Sequence, residues 1–134
     1  MIAQTLSIVT PAAVERNLEN KIKSFFKEKK LKILKSKKVH ITKEEAAEFY
    51  KVHQTKPFYQ NLCNYLSSAP IVVMVLEGED AVSKNRQIMG ATDPLKAEEG
   101  TLRKMYGLSV DKNSVHGSDS VENAKIEITF FFDK

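Results

Sequence analysis

Histidine changes charge closest to neutral pH, and the chain holds only three: His40, His53 and His116. His116 stands out by its setting, Asn113-Ser-Val-His-Gly-Ser-Asp119, which reads as a loop histidine followed by a glycine and a Ser-Asp helix cap. That is not the usual surrounding of a core histidine. Most histidines are nevertheless structural or exposed, so composition alone does not select it. Gly117 removes the neighbouring side chain and permits close approach of a ligand. Glu127, on the helix after the cap, could orient one ring nitrogen and leave the other as a nucleophile. Its plainer reading is an exposed helix acid.

If that nucleophile works on phosphate, the site also needs positive charge that stays fixed. The chain has three arginines, Arg16, Arg86 and Arg103, against eighteen lysines. Where lysine is used so freely, an arginine suggests a need for planar, bidentate donors to phosphate oxygens. Arg86 falls near the end of an expected helix, before Gly90-Ala-Thr-Asp-Pro94, and Arg103 follows Gly100-Thr101. Surface salt bridging is the ordinary fate of each. Phe58, after Pro57, could offer a face to a base, although a core or staple role is more frequent. No glycine-rich phosphate loop occurs, so a nucleotide site would have to be built from side chains.

The elements that must position these residues alternate between strand and helix. Thr5–Val9 reads as a first strand, and Pro11 opens a helix running to about Lys30, with Val14, Leu18, Ile22, Phe25 and Phe26 on one face. Leu31, Ile33, Val39 and Ile41 share one phase of a second strand, interrupted by Lys35 and Lys37. Thr42-Lys-Glu-Glu45 is a capping box that starts a helix through Ala46, Phe49 and Tyr50. Lys56-Pro57 breaks it, and Phe58, Leu62, Tyr65 and Leu66 form the apolar face of the next helix. Pro70 precedes the strand 71–76, Glu77-Gly-Glu-Asp80 turns into a helix to about Met89, and Gly90 stops it. Residues 91–115 show little periodicity, and a stretch that long is usually functional or part of an interface. Ser118-Asp-Ser120 caps a last helix, 121–130. This order implies α/β layering, with helices covering a small sheet.

Bulk properties narrow the class. The length of 134 residues suits one domain over 1–134, and 42% hydrophobic with 28% charged residues is ordinary for a soluble globular protein. The longest apolar run, Ile71–Leu76, suits a buried strand and not a membrane span, and the N-terminus lacks signal-peptide features. With Cys63 the single cysteine, no internal disulfide or thiolate metal cluster is expected, and a cytoplasmic protein is the simplest reading. The net charge of +4 is local in origin: nine lysines and one acid, Glu28, lie between Lys21 and Lys38. A solvated face is the plain reading, and a nucleic-acid or anionic-membrane surface the sharper one. No arginine or aromatic residue alternates with the lysines as base stacking would require, so nucleic acid stays a secondary reading and membrane is not expected.

Four segments together resemble the nucleoside diphosphate kinase family: Lys56-Pro-Phe58, Asn85-Arg-Gln-Ile-Met-Gly-Ala-Thr-Asp-Pro94, Gly100-Thr-Leu-Arg103 and Asn113-Ser-Val-His-Gly-Ser-Asp-Ser120. The likeness runs from about Thr5 to Phe132. It implies a ferredoxin-like α/β sandwich, a small antiparallel sheet covered by helices, and ping-pong transfer of a γ-phosphate from a nucleoside triphosphate to a diphosphate. By this resemblance His116 would be the nucleophile, with Glu127 and Ser118 fixing its ring. Arg86, Thr92 and Arg103 would clamp phosphate, His53 would add a contact, and Tyr50 would place its hydroxyl near the transferred group. Phe58 would stack on the base, Leu62 and Val110 would line the slot, and Asn113 would bond the ribose. Mg2+ would ride on the nucleotide's phosphates and not in a protein cage. The resemblance further implies ATP as donor and a homo-oligomer, tetramer or hexamer.

One departure bears on rate. The family's first strand normally ends in Lys-Pro-Asp or Lys-Pro-Asn, whereas this chain has Thr10-Pro11-Ala12. Thr10 keeps a hydroxyl for the nucleotide but loses a cation and its reach. A lost charged contact amounts to about 1.5–3 kcal/mol, or one to two decades if it is expressed in the transition state. Asn20, where the family usually has glycine, is a further difference. The alternative to an active kinase is therefore a catalytically impaired homologue that binds nucleotide or a partner through its lysine-rich face.

Overall fold

Alternating side chains along Ile2–Val9 (β1) divide the molecule into two layers of core. A computed structural model of the chain describes residues 2–51, 55, 57, 59–90, 97–106, 115–118 and 120–132; of Ala12, Val115 and His116 it describes the backbone alone. Leu6 and Ile8 of β1 belong to one buried cluster and Val9 to the other. The remaining strands are Lys32–Val39 (β2), Ile71–Glu79 (β3) and Val115–Gly117 (β4), in the order β2-β3-β1-β4 with every neighbouring pair antiparallel. That is the ferredoxin-like order, in which the two crossover segments cover one face of the sheet.

The helices are Pro11–Glu15 (α1), Glu19–Glu28 (α2), Lys43–Phe49 (α3), Tyr59–Leu66 (α4), Ala81–Met89 (α5), Leu102–Tyr106 (α6) and Val121–Phe132 (α7). Val14 of α1, Ile22 and Phe26 of α2, Ile88 and Met89 of α5 and Leu102 of α6 pack with Val72, Met74 and Leu76 of β3 on one face. Ala46 of α3, Cys63 and Leu66 of α4 and Phe131 of α7 pack with Ile71 and Val73 on the other. Each such large side chain taken out of water contributes roughly 1.5–3 kcal/mol. The side chain of β3 therefore alternates between two apolar layers, which is why Ile71–Leu76 is apolar throughout.

The structure departs from the sequence reading in several places. The helix expected from Pro11 to about Lys30 is two helices, because Asn17 adopts a left-handed backbone (φ 58°) that ends α1 and redirects the chain into α2. The single phase expected for Leu31, Ile33, Val39 and Ile41 is split between the layers. Ile33 and Lys35 pair with consecutive residues of β3, Leu76 and Val75, so Leu34 is an extra, bulged residue. Upstream of it Leu31 and Ile33 face the first cluster; downstream Val39 and Ile41 join the second. β3 continues to Glu79, and the turn falls at Asp80 (φ 49°) instead of across residues 77–80. Two elements, α6 and the first residue of β4, lie inside the stretch read as irregular, and His116 is the central residue of a strand and not a loop residue.

The lysine-rich region maps to α2, the turn after it and the sheet-edge strand β2. Part of its charge is engaged locally: Lys38 meets Glu19 at 3.3 Å, Lys29 sits over the Phe25 ring, and Lys35 and Lys37 over Phe132. Lysines and a bulge on an edge strand also discourage pairing with another sheet.

The Thr42 capping box is present as expected. Thr42 Oγ1 accepts from the Glu45 N–H at 3.1 Å, and Glu45 Oε1 accepts from the Thr42 N–H at 2.9 Å. Thr42→Ala should lower stability by about 1 kcal/mol, measured as an earlier urea midpoint at unchanged slope. An unmoved midpoint would show that packing of Ala46 and Tyr50, and not the cap, holds α3.

Candidate functional site

The last ladder step between β1 and β4 brings three segments together. β4 pairs with β1 through Ser7↔Gly117, Ile8↔His116 and Val9↔Val115. One residue on, the Ser118 N–H donates to the Leu6 carbonyl at 3.2 Å, and the Leu6 N–H donates to Ser118 Oγ at 3.2 Å. Ser118 is fully buried, and its hydroxyl donates to Glu127 Oε1 of α7 at 3.1 Å. Ser118 and Glu127, both singled out from sequence, are thus directly bonded two residues from His116. The cap expected for α7 is also seen, the Asn123 N–H donating to Ser120 Oγ at 3.1 Å.

Tyr50 lies beside this pair. Its phenol is pushed well above the usual tyrosine range, first by burial and then by the Glu127 carboxylate, with smaller contributions from Cys63 and Tyr65 and an opposing pull from Arg103. The hydroxyl is therefore a protonated donor across the neutral range. Arg103, on α6, is almost fully buried and donates from Nη1 to the Gly90 carbonyl at 3.0 Å. Burial, then the charge of Arg86, lower its guanidinium to about 10, with Tyr50 acting against them. It stays charged at neutral pH, under a strain that an anion beside the two arginines would relieve.

Gly90 is the hinge of this arrangement. It closes α5 with φ 85°, and a Cβ there would lie 2.6 Å from Thr101 Oγ1. Thr101 in turn starts α6: its hydroxyl donates to the Glu98 carbonyl at 2.7 Å and accepts from the Lys104 N–H at 3.3 Å. Arg86, four residues before Gly90, is exposed at the same end of α5. Arg16 ties α1 to α6 by donating to the Tyr106 carbonyl.

Thr10 is buried, and its hydroxyl shares a hydrogen bond with the Tyr65 hydroxyl at 3.1 Å. Leu62 is half-buried against the second cluster. The structure thus gathers Ser118, Glu127, Tyr50, Arg103 and Arg86, with Thr10 joined to them through Tyr65. His53, Phe58, Thr92, Val110 and Asn113 lie outside the described residues, as does the side chain of His116. In the sequence Tyr65 is one more apolar-face residue, and no local pattern marks its bond to a residue 55 positions away. Asn85 heads one of the segments that carry the family resemblance but has no role assigned there; its helical spacing from Ala81, Val82, Ile88 and Met89 is the signal, and all five are buried on α5.

Comparison with known proteins accords with this geometry. A family model described as nucleoside diphosphate kinase matches residues 3–134. A nucleoside diphosphate kinase of Persephonella marina is 56% identical over 133 residues, covering 99% of this chain and 95% of its own, and one of Rhizorhabdus wittichii is 53% identical over 129 residues, covering 96% and 92%. Among solved structures, the Aquifex aeolicus nucleoside diphosphate kinase superposes with a TM-score of 0.96 at 41% identity, over 98% of this chain and 96% of that one. The apo enzyme from Encephalitozoon cuniculi gives 0.95 at 36% identity, over 98% and 90%. With a family match over nearly the whole length and relatives above half identity, the chain belongs to the nucleoside diphosphate kinase family and is a phosphotransferase.

Proposed function

We propose that the chain, acting as one domain over 1–134, transfers phosphate by a ping-pong route with His116 as the nucleophile. The observation that carries this reading is the Leu6–Ser118–Glu127 hydrogen-bonded clamp, which fixes the end of β4 next to its central residue, His116. In the first half-reaction a ring nitrogen of His116 attacks the γ-phosphorus of a nucleoside triphosphate. An N–P bond forms, the bond to the bridging oxygen breaks, and the diphosphate leaves with that oxygen. In the second, a terminal phosphate oxygen of another diphosphate attacks the same phosphorus and the N–P bond breaks. Glu127 and Ser118 serve to orient the ring.

Phosphoryl transfer asks for in-line positioning and neutralisation of equatorial oxygen charge. Arg103 and Arg86 supply fixed charge, with Thr92 and His53 as further contacts and Tyr50, whose phenol burial keeps protonated, as a neutral donor. Phe58 stacks on the base, Leu62 and Val110 line the slot, and Asn113 bonds the ribose; stacking without base-edge readout accepts any base. Among the described residues no group of three His, Cys, Asp or Glu side chains is placed to hold a metal ion. Arg86 and Arg103 offer a metal no ligand, which fits Mg2+ carried on the nucleotide's phosphates, where it would offset their charge. The family resemblance supports ATP as donor, a homo-oligomer (tetramer or hexamer) and a cytoplasmic setting. No described helix is long and apolar enough to cross a membrane.

Three experiments test these roles. Incubation with γ-labelled ATP and Mg2+ should yield an acid-labile phosphoprotein, and His116→Ala should abolish it. Label that persists in that variant would remove His116 as the acceptor. Ser118→Ala strands the buried Leu6 N–H and should destabilise the fold by about 1–3 kcal/mol while slowing label transfer; an unshifted unfolding midpoint would show that the clamp carries no weight. Thr10→Lys restores a cation at the end of β1 and should raise transfer by about tenfold. An unchanged rate would mean that the Thr10–Tyr65 pair already meets the need.

A further inference from the structure

The sheet face opposite the Ser118–Glu127 clamp carries a set of unmatched polar atoms. Asn85 is fully buried on α5, and neither its Nδ2 nor its Oδ1 has a hydrogen-bond partner. Its amide is pressed against Gly117: a Cβ on that residue would collide with Asn85 Nδ2 and lie 2.8 Å from Met89 Cε. Across the ladder Gly117 faces Ser7, whose buried Oγ also lacks a partner, as does Thr5 Oγ1 two residues earlier on the same face. Ser7 and Thr5 sit opposite Met74 and Leu76, which pack in the same layer as Met89, so all these atoms share one side of the sheet.

Unmatched polar atoms in a core are costly, and when they cluster they normally share ordered water. Facing positions in an antiparallel pair lie about 4.5–5.5 Å apart at Cβ. With the Asn85 amide in contact with the Gly117 position, it and the Ser7 hydroxyl are within reach of one bridging water. We propose that Asn85 and Ser7 form an internal water-binding site under Gly117, and that this site positions the His116 strand against α5. The adjacent residue on α5 is Arg86, so one helix sets both the strand of the reacting histidine and part of the phosphate clamp. Gly117 is then glycine because the amide occupies the space of its side chain. Asn85 and Ser7 touch no substrate; they are positioning residues.

This inference rests on His116 as the nucleophile, and the readouts keep the two separable. Asn85→Leu replaces the amide with an apolar group of similar size and, because it leaves the Ser7 hydroxyl without its bridge, should lower the unfolding midpoint modestly. It should still form the acid-labile phosphoprotein to full stoichiometry, but with the single-turnover rate lowered about tenfold by misplacement and the nucleotide KM held. Asn85→Ser, which keeps a polar group for the water, should recover most of that rate. Ser7→Ala should show the same fall as Asn85→Leu, and the double variant should fall no further, because both remove one shared site. A wild-type rate in Asn85→Leu, or additive losses in the double variant, would overturn the proposal. If Asn85→Leu lowers the unfolding midpoint sharply, the Asn85→Ser and Ser7→Ala rates decide it alone. Failure of the wild-type chain to label at all would instead overturn the His116 reading.

Discussion

A serine hydroxyl has one proton to give and two lone pairs to receive with, and Ser118 uses that asymmetry to hold the molecule's functional end in place. The Leu6 N–H can only donate, so Ser118 Oγ must accept from it and turn its own proton to the Glu127 carboxylate. One buried atom thereby joins the central strand β1, the end of β4 and the last helix. With Ser118 fully enclosed, water does not compete for these bonds, and each is stronger than its surface counterpart. The position of His116 follows from that junction, because its backbone lies two residues back along a strand already paired to β1. Glu127 inherits a fixed orientation from the same bond, and its charge is felt at Tyr50.

The electrostatics on the other side of the site run against local stability. Burying Arg103 and placing the Arg86 charge near it both disfavour the guanidinium, which is why its pKa falls. A protein selected only for stability would avoid that pair. A phosphate between them changes the sign, since each positive charge then faces a negative one in a partly dry setting. Preorganised charge of this kind does its work at the transition state without having to reorganise. Tyr50 adds a neutral donor whose proton burial and the Glu127 carboxylate retain.

Features written into short stretches of chain were legible. The Thr42 box, the Gly90 stop, the Ser120 cap and the apolar run of β3 each depend on residues within a turn or two, and each is where the sequence places it. What escaped depends on distant partners or on single backbone dihedrals. Nothing in Val115-His116-Gly117 announces a strand, because three residues show no periodicity and their ladder partner is more than a hundred positions away. Asn17 breaks the first helix through one left-handed φ, and Leu34 splits a hydrophobic phase by adding one residue to one side of a ladder. The site shows the same division. His116, Ser118, Arg86 and Arg103 stand in the motif segments, Glu127 follows from its place on the helix after the cap and Tyr50 from the family resemblance, whereas the contacts of Tyr65 with Thr10 and of Asn85 with Gly117 are created by the fold.

Because Thr10 brings no cation and its hydroxyl is bound to Tyr65, the fixed charge seen near the clamp rests on Arg86 and Arg103. Both are carried on the segment that bends at Gly90. That residue's N–H bonds back to the Arg86 carbonyl at 3.0 Å, its own carbonyl receives Arg103, and its Cα abuts Thr101, which caps the helix bearing Arg103. A side chain there would strain the backbone at φ 85° and displace Thr101 together. Gly90 therefore links the helix of Arg86 to Arg103 through its backbone geometry and through the hydrogen bond its carbonyl accepts. With a threonine and not a cation at position 10, the positive charge of the described site depends correspondingly more on that bend.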